Sequence, residues 1–259
     1  MQKLILIALS SSLIAATACC GGPCPKAEFP DASKAEWEAV LDRKQVLKLK
    51  PRGDIAIKHD VHVLLVDVEP KKFADAFHAV MMDSRRSFGL ITVNRKRTNI
   101  DKPFTLGERF QGRYSLVGAL REQFHAEQDA TFDEVLTSPA LAEIVCAIEN
   151  DMMSDYGEIF DLVLGPDNAK QFRFAYRYLE GSPIAGSSMF IVDELEPGKS
   201  RVTQIFEYQE QNQSFANFFS NKGLKLHNQV VYSQVSQSVA LAGGHIIASD
   251  IPAAYRETP

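Results

Sequence analysis

The sequence predicts an α+β fold in which an antiparallel sheet with one apolar face is covered by a long C-terminal helix. Three observations predict it. Between residues 158 and 208, short alternating runs are separated by turn formers at Gly165-Pro166-Asp167-Asn168, at Gly181 to Gly186 and at Pro197-Gly198-Lys199. Such runs read as strands that pair in sequence order. One run places Phe172, Phe174, Tyr176 and Tyr178 on one face, with Arg173, Ala175 and Arg177 on the other, and an apolar face of that size has to be covered. Residues 226–249 contain no Lys, Arg, Asp or Glu and end at Gly243-Gly244, so the last helix is expected to have much of its surface buried. They are too rich in Gln, Ser and Asn for a membrane span.

The elements follow in chain order. Ala32 to Leu47 has helical spacing, with Ser33 as N-cap. Ile55 to Val68 alternates as a strand, with Ile55, Ile57, His59, Val61, Val63 and Leu65 expected on the apolar face. Pro70 opens a helix that carries Phe73, Ala76, Phe77 and Val80 on one side and ends near Ser84. Phe88 to Arg97 and Leu106 to Leu116 are strands. In the second of these, Phe110, Gly112, Tyr114 and Leu116 alternate with Arg109, Gln111, Arg113 and Ser115. Residues 119–155 are helical, with Leu141, Ile144, Val145, Ile148 and Met152 as the apolar stripe and Cys146 beside it as a small core residue. Strands at Glu158 to Leu164, Gln171 to Leu179, Ser188 to Leu195 and Arg201 to Tyr208 make the meander. The last helix carries Phe215, Phe218 and Phe219, weakens at Gly223, and resumes with Leu224, Val231, Val235, Val239 and Ala242. That makes seven strands.

The chain has 259 residues, a net charge of −5 and 45% hydrophobic residues. It can bury a core, and it lacks the chain-wide basic footprint of a nucleic-acid-binding protein. The first eighteen residues read as a secretory signal, with Lys3, an uncharged run from Leu4 to Ala18 and Ala16-Thr17-Ala18 as the cleavage pattern. Leu13 to Cys19 resembles a bacterial lipoprotein leader, in which the cysteine thiol is diacylated and becomes the mature N-terminus. Thr17, Ala18 and Cys19 fit that pattern, while Ala16 stands where it prefers Leu. Ordinary cleavage after Ala18, giving a secreted or periplasmic protein, is the alternative. Two acyl chains anchor a protein stably where one does not. Residues 19–31 are then a tether, and residues 32–259 are the domain. Cys20 and Cys24 can close a small disulfide loop in an oxidising compartment or remain unpaired.

The order of strand, helix, two strands, helical insertion, four meandering strands and long helix resembles the START-like superfamily, the helix-grip fold also seen in the major birch-pollen allergen and in polyketide cyclases. The stretches most like it are Leu106-Gly107-Glu108-Arg109-Phe110 and Tyr178 to Tyr208, including Pro183-Ile184-Ala185-Gly186. The resemblance implies a curved seven-stranded sheet gripping the last helix, with a cavity between them. The insertion at 119–155 is long for the superfamily.

Candidate chemistry is sparse. His59-Asp60-Val61-His62 is the one local group that looks like a ligand set. On a strand, however, His59 and His62 point to opposite faces and cannot share a metal. The remaining histidines, His78, His125, His227 and His245, have no constellation around them. There is no Gly-rich phosphate loop and no G-x-S-x-G elbow. Neither a cofactor nor a metal is expected. The basic run Asn94-Arg95-Lys96-Arg97 reads as the charged outer face of an edge strand, or as a contact to anionic headgroups. The ligand-lining candidates are His59, Phe110, Tyr114, Phe174, Tyr176, Tyr178, Phe206, Tyr208, Val231 and Val235. Gln229, Ser233, Gln234 and Gln237 on the helix are possible partners for a buried tyrosine hydroxyl. The expected function is a cell-envelope lipoprotein that binds an apolar small molecule or lipid without catalysis. Two alternatives stand beside it: a cyclase- or hydrolase-type enzyme on the same fold, using His59 or a pocket tyrosine, and a structural or interaction lipoprotein with a filled core.

Overall fold

The computed structural model describes residues 45–50, 53–83, 85–88, 91–97, 102–115, 154–163, 170–211 and 224–256, together with residues 213 and 216. The signal, Cys19, Cys20, Cys24, most of the first expected helix, the body of the 119–155 insertion and, apart from Ala216, the Phe215 to Gly223 stretch lie outside them. The α+β class, the curved antiparallel sheet and the long C-terminal helix are as the sequence predicts. Among the described residues the sheet has nine strands rather than seven, in the order β2-β3-β4-β5-β6-β7-β8-β1-β9.

These strands are β1 (Lys58–Val66), β2 (Arg85–Phe88), β3 (Ile91–Arg97), β4 (Arg109–Ser115), β5 (Ser154–Val163), β6 (Gln171–Tyr178), β7 (Ile184–Glu196), β8 (Lys199–Glu210) and β9 (Ile246–Ser249). The helices are α1 (Pro70–Met82) and α2 (Leu224–Leu241). Every neighbouring pair of strands is antiparallel. The two additional strands have simple origins. Residues 85–88, which the sequence reading placed at the end of the helix and the start of the Phe88 strand, form a strand of their own that pairs with Ile91–Asn94. After Gly243-Gly244 the chain returns as β9 along the free edge of β1. A Cβ on Gly244 would lie 2.2 Å from a Val68 methyl carbon, so only glycine allows that return. Residues 45–47 are not helical: Val46 makes an isolated bridge to Leu179. Strand β5 starts at Ser154, so the helical reading runs two residues too far at that end.

Helix α1 follows its prediction. Pro70 occupies the first turn, and Phe73, Ala76, Phe77 and Val80 are all buried. Phe77 lies 5.8 Å from Phe73, 5.6 Å from Phe172, 5.3 Å from Phe174 and 5.1 Å from Phe190, ring centre to ring centre. Helix α2 completes this core with Val231, Val235 and Val239. From His227 to Val239 no residue of α2 is exposed, as its lack of charge implied. The outer face of the sheet is laced with charge. Glu158 takes Arg109 at 2.8 Å and Arg177 at 2.5 Å, and Arg173 meets Asp161 at 2.9 Å.

The basic run on β3 is not an outer edge face. Strand β3 lies between β2 and β4, and Arg95 and Arg97 are buried. Arg97 makes a bidentate pair with Glu108 (2.8 and 3.0 Å) and lies 3.7 Å from the Phe104 ring centre. Glu108 also accepts the Thr105 amide. A guanidinium that is paired, stacked and hydrogen-bonded in this way can be buried.

His78 is buried on α1 against Phe104 and Phe172, and neither ring nitrogen has a hydrogen-bond partner. Burial, with the Arg97 charge adding to it, lowers its pKa to about 4. The unfolded chain takes up this proton near pH 6.5, and the folded chain only near 4. Between those values the unfolded state binds more protons, so stability falls as the pH falls. We expect His78→Phe to abolish an acid destabilisation on the order of 2–3 kcal/mol, read from urea unfolding at pH 7 and pH 4.5. An unchanged pH slope would contradict this.

Candidate functional site

Strand register divides the inner face of the sheet into two halves. In one half, Leu64, Val202, Val192 and Phe172 follow one another across β1, β8, β7 and β6. These residues belong to the main core, where Phe172, Phe174 and Phe190 meet Phe77 of α1. In the other half, Asp60 stands opposite Phe206, Phe206 opposite Ser188, and Ser188 opposite Tyr176. His62 stands opposite Gln204. The second half is aromatic and polar. Phe110, Tyr176, Tyr178, Phe206 and Tyr208 form a chain of ring contacts between 4.3 and 6.3 Å. Tyr178, Ile184, Phe206 and Tyr208 form a small apolar cluster separate from the main core.

The phase of β1 corrects the sequence reading. His62, Leu64 and Val66 are buried and Asp60 is half-buried, whereas His59 and Val61 are exposed. The His59 side chain is 63% exposed and faces Glu207 on the outer surface. It therefore lines no interior site. Both faces of β1 are rich in aliphatic residues, so alternation alone did not decide which face turns inward.

The first turns of α2 bring a partner to the inner face. His62 Nε2 lies 3.1 Å from Asp60 Oδ2 and 2.8 Å from Asn228 Oδ1. Its Nδ1 is 3.7 Å from Asp250 Oδ1, just past the end of β9. His227 Nδ1 is 3.7 Å from the same Asp60 oxygen, and its ring stacks on Phe206 at 4.3 Å and 21°. His227 thus has a constellation after all, built from residues more than 160 positions away in the chain. No local spacing could reveal it. The one available signal was that Asp60 and His62 share a strand face.

The electrostatics follow from this packing. The imidazole of His227, then that of His62, holds the Asp60 carboxyl well below the usual carboxylate range. Burial pulls the pKa of His62 down, but Asp60, Asn228 and Asp250 outweigh it, and the net shift is upward. For His227 burial dominates and the shift is downward. Burial, then the Asp155 charge, pushes Tyr176 up to about 12; its hydroxyl is 3.4 Å from that of Tyr178. Burial also raises Tyr208, with Glu210 and Asp60 adding to it. At neutral pH both phenols are therefore protonated and able to donate.

Of the remaining candidates, Phe110, Phe174, Tyr178, Phe206 and Tyr208 are buried on the inner face, and Tyr176 is partly buried there. Val231 and Val235 are buried in the main core rather than in the aromatic cluster. Tyr114 lies in β4, but its side chain is outside what the structure describes. Sequence reasoning singled out the His59-Asp60-Val61-His62 group but set it aside, gave His227 no constellation, and missed Gln204, Asn228 and Asp250.

No family model matches the sequence, and no curated protein matches it. Among solved structures, the chain is similar to norcoclaurine synthase from Thalictrum flavum, at 7% identity over 73% of this chain and 98% of that one, with a TM-score of 0.42. Another structure of that enzyme, in complex with dopamine and hydroxybenzaldehyde, gives 9%, 76%, 95% and 0.41. The Zhui aromatase/cyclase from Streptomyces sp. R1128 gives 9%, 73%, 94% and 0.43.

Two substitutions test the phase of β1. Asn228→Ala strips a buried imidazole of an acceptor and should cost about 1–2 kcal/mol in urea unfolding. His59→Ala, on the solvent side, should stay within about 0.5 kcal/mol of wild type. The opposite order would mean that β1 is turned over.

Proposed function

We propose that this protein is a START-like, helix-grip domain that binds an apolar small molecule with a hydrogen-bonding head, held at the cell envelope through acylated Cys19. The observation that carries the reading is the aromatic–polar half of the inner sheet face. There Phe206, Tyr208, Tyr176 and Tyr178 form an apolar wall, and buried polar atoms lie among or beside them. Gln204 is fully buried, yet its Oε1 has no hydrogen-bond partner among the described residues, and neither has His227 Nδ1. Buried polar atoms are ordinarily satisfied. An apolar wall with a few convergent donors and acceptors is what a small-molecule site requires. The rings take the apolar body of the ligand, while Gln204, His227 and the tyrosine hydroxyls orient its head.

One observation favours a second reading, an acid–base enzyme on the same fold. His62 is buried, bonded to Asp60 and turned toward the interior, as a general acid or base has to be. In the carrier reading His62→Gln weakens binding and there is no turnover to lose. In the enzyme reading it leaves binding and abolishes conversion.

Native mass spectrometry of the chain exported as Cys19→Ala, incubated with a total envelope lipid extract, tests binding. The expected result is one apolar adduct per chain that is lost on denaturation and absent in a Phe206→Ala, Tyr208→Ala variant. A bare mass after incubation would count against the site.

Anchoring has its own test. Cells fed an alkyne fatty acid should label the wild-type protein and leave Cys19→Ala unlabelled and soluble. Equal fractionation of the two, without label, would leave ordinary cleavage after Ala18 as the export route.

A further inference from the structure

We propose that Asp60, His62 and His227 form a site for one divalent transition-metal ion of the zinc type, with Asn228 Oδ1 as a fourth donor and Asp250 supporting His62 from behind. The site goes beyond the apolar-ligand reading and does not require it.

The donor spacing is the first argument. Zinc bonds to imidazole nitrogen and carboxylate oxygen are about 2.0–2.1 Å, so donors at the corners of a tetrahedron stand about 3.3–3.4 Å apart. Here His62 Nε2 to Asn228 Oδ1 is 2.8 Å, His62 Nε2 to Asp60 Oδ2 is 3.1 Å, and Asp60 Oδ2 to His227 Nδ1 is 3.7 Å. One donor atom from each of Asp60, His62 and His227 lies within 4.8 Å of the other two. These three edges bracket the tetrahedral value.

The second argument is the unpaired atom. A bare hydrogen-bond network would account for His62, which already faces two oxygens. It accounts less well for His227, whose buried Nδ1 stands 3.7 Å from Asp60 Oδ2, an ion-pair distance too long for a hydrogen bond. An ion between them replaces that long contact with a direct bond to each.

The third argument is support. A metal-binding imidazole commonly presents its second nitrogen to a carboxylate, which fixes the ring and raises its basicity. His62 turns its Nδ1 toward Asp250 Oδ1 at 3.7 Å, an ion-pair distance rather than a hydrogen bond. Asp250 is itself held, its Oδ2 accepting the Val63 amide at 3.0 Å and its own amide bonding the Val63 carbonyl at 3.2 Å. The His227 ring is clamped flat on Phe206. Asp60 and His62 sit two apart on β1 and are both held in register by β8, opposite Phe206 and Gln204, so their spacing is set by backbone. Two imidazoles, one carboxylate and one amide oxygen suit zinc, cobalt or nickel better than magnesium or calcium, which prefer all-oxygen shells.

The test uses the full chain, chelator-stripped, with its thiols alkylated so that the cysteines cannot compete. Calorimetric titration with zinc should give one ion per chain, and cobalt should give the intense visible bands of a four-coordinate site. His227→Gln should weaken zinc binding about 100-fold or more and remove the cobalt bands. Asp250→Asn should weaken it about 10- to 100-fold, and His59→Ala should change nothing. Should His227→Gln fail to fold, His227→Phe keeps the stack on Phe206 and removes only the donor. Zinc affinity unchanged in either His227 variant would overturn the proposal. So would the absence of bound zinc in a wild-type chain with a native circular dichroism spectrum.

Discussion

The contact of Phe77 with Phe73, Phe172, Phe174 and Phe190 holds the helix layer on the sheet. An open antiparallel sheet of this size buries its inner face only where something lies on it. Helix α1 runs from β1, near one edge, to β2, at the other, and its phenylalanines are spent on the apolar half on the way. The remaining half is left to α2 and to its own aromatic side chains. Its polar character follows from that division, because residues there are not required to be aliphatic.

Helix α2 makes the division workable. Asn228, Gln229, Ser233, Gln234 and Ser238 are all buried in it, an unusual load for an interior helix. Much of this polarity is settled within the helix or at its nearest neighbour. Gln237 donates to Ser233 Oγ at 2.9 Å, and the Ser238 hydroxyl to the Gln234 carbonyl at 2.7 Å. Gln234 reaches Met81 Sδ at 3.7 Å. An uncharged polar helix can thus be enclosed at small cost where its groups bring or find partners, as Ser233, Gln234 and Ser238 do; Gln229 Oε1 has no hydrogen-bond partner among the described residues. The first turn is the exception, where His227 and Asn228 turn toward β1.

What could be read from the sequence tracks the contrast between the two faces of each element. The aromatic and charged faces of β6 differ sharply, and its span and its buried side agree with the expectation. Helix α1 carried both a periodic stripe and a proline start. Strand β1 offered no contrast. Val61 and Ile57 are exposed, Leu64 and Val66 are buried, and the polar Asp60 and His62 point inward. The usual rule that the polar residues face out therefore inverted the strand. Arg95 and Arg97 misled for the same reason, since a bidentate carboxylate partner eleven residues on makes Arg97 an interior group. Strands β2 and β9 have four residues each, too few to show a period. The site itself joins β1 to α2 and to the residue after β9, a conjunction of tertiary structure that no spacing encodes.

The position of β1 has a consequence for how the chain acquires this structure. The first strand to be synthesised pairs only with β8 and β9, both of which lie more than 130 residues downstream. Until those segments exist, β1 has neither hydrogen-bonding neighbour, and the Asp60–His62 pair has no His227, Asn228 or Asp250 to meet. Contacts so distant in sequence form slowly. A polypeptide emerging N-terminus first therefore cannot close this side of the sheet until its last few dozen residues are released. That delay is an advantage to any chain that must be threaded through a narrow channel before it folds.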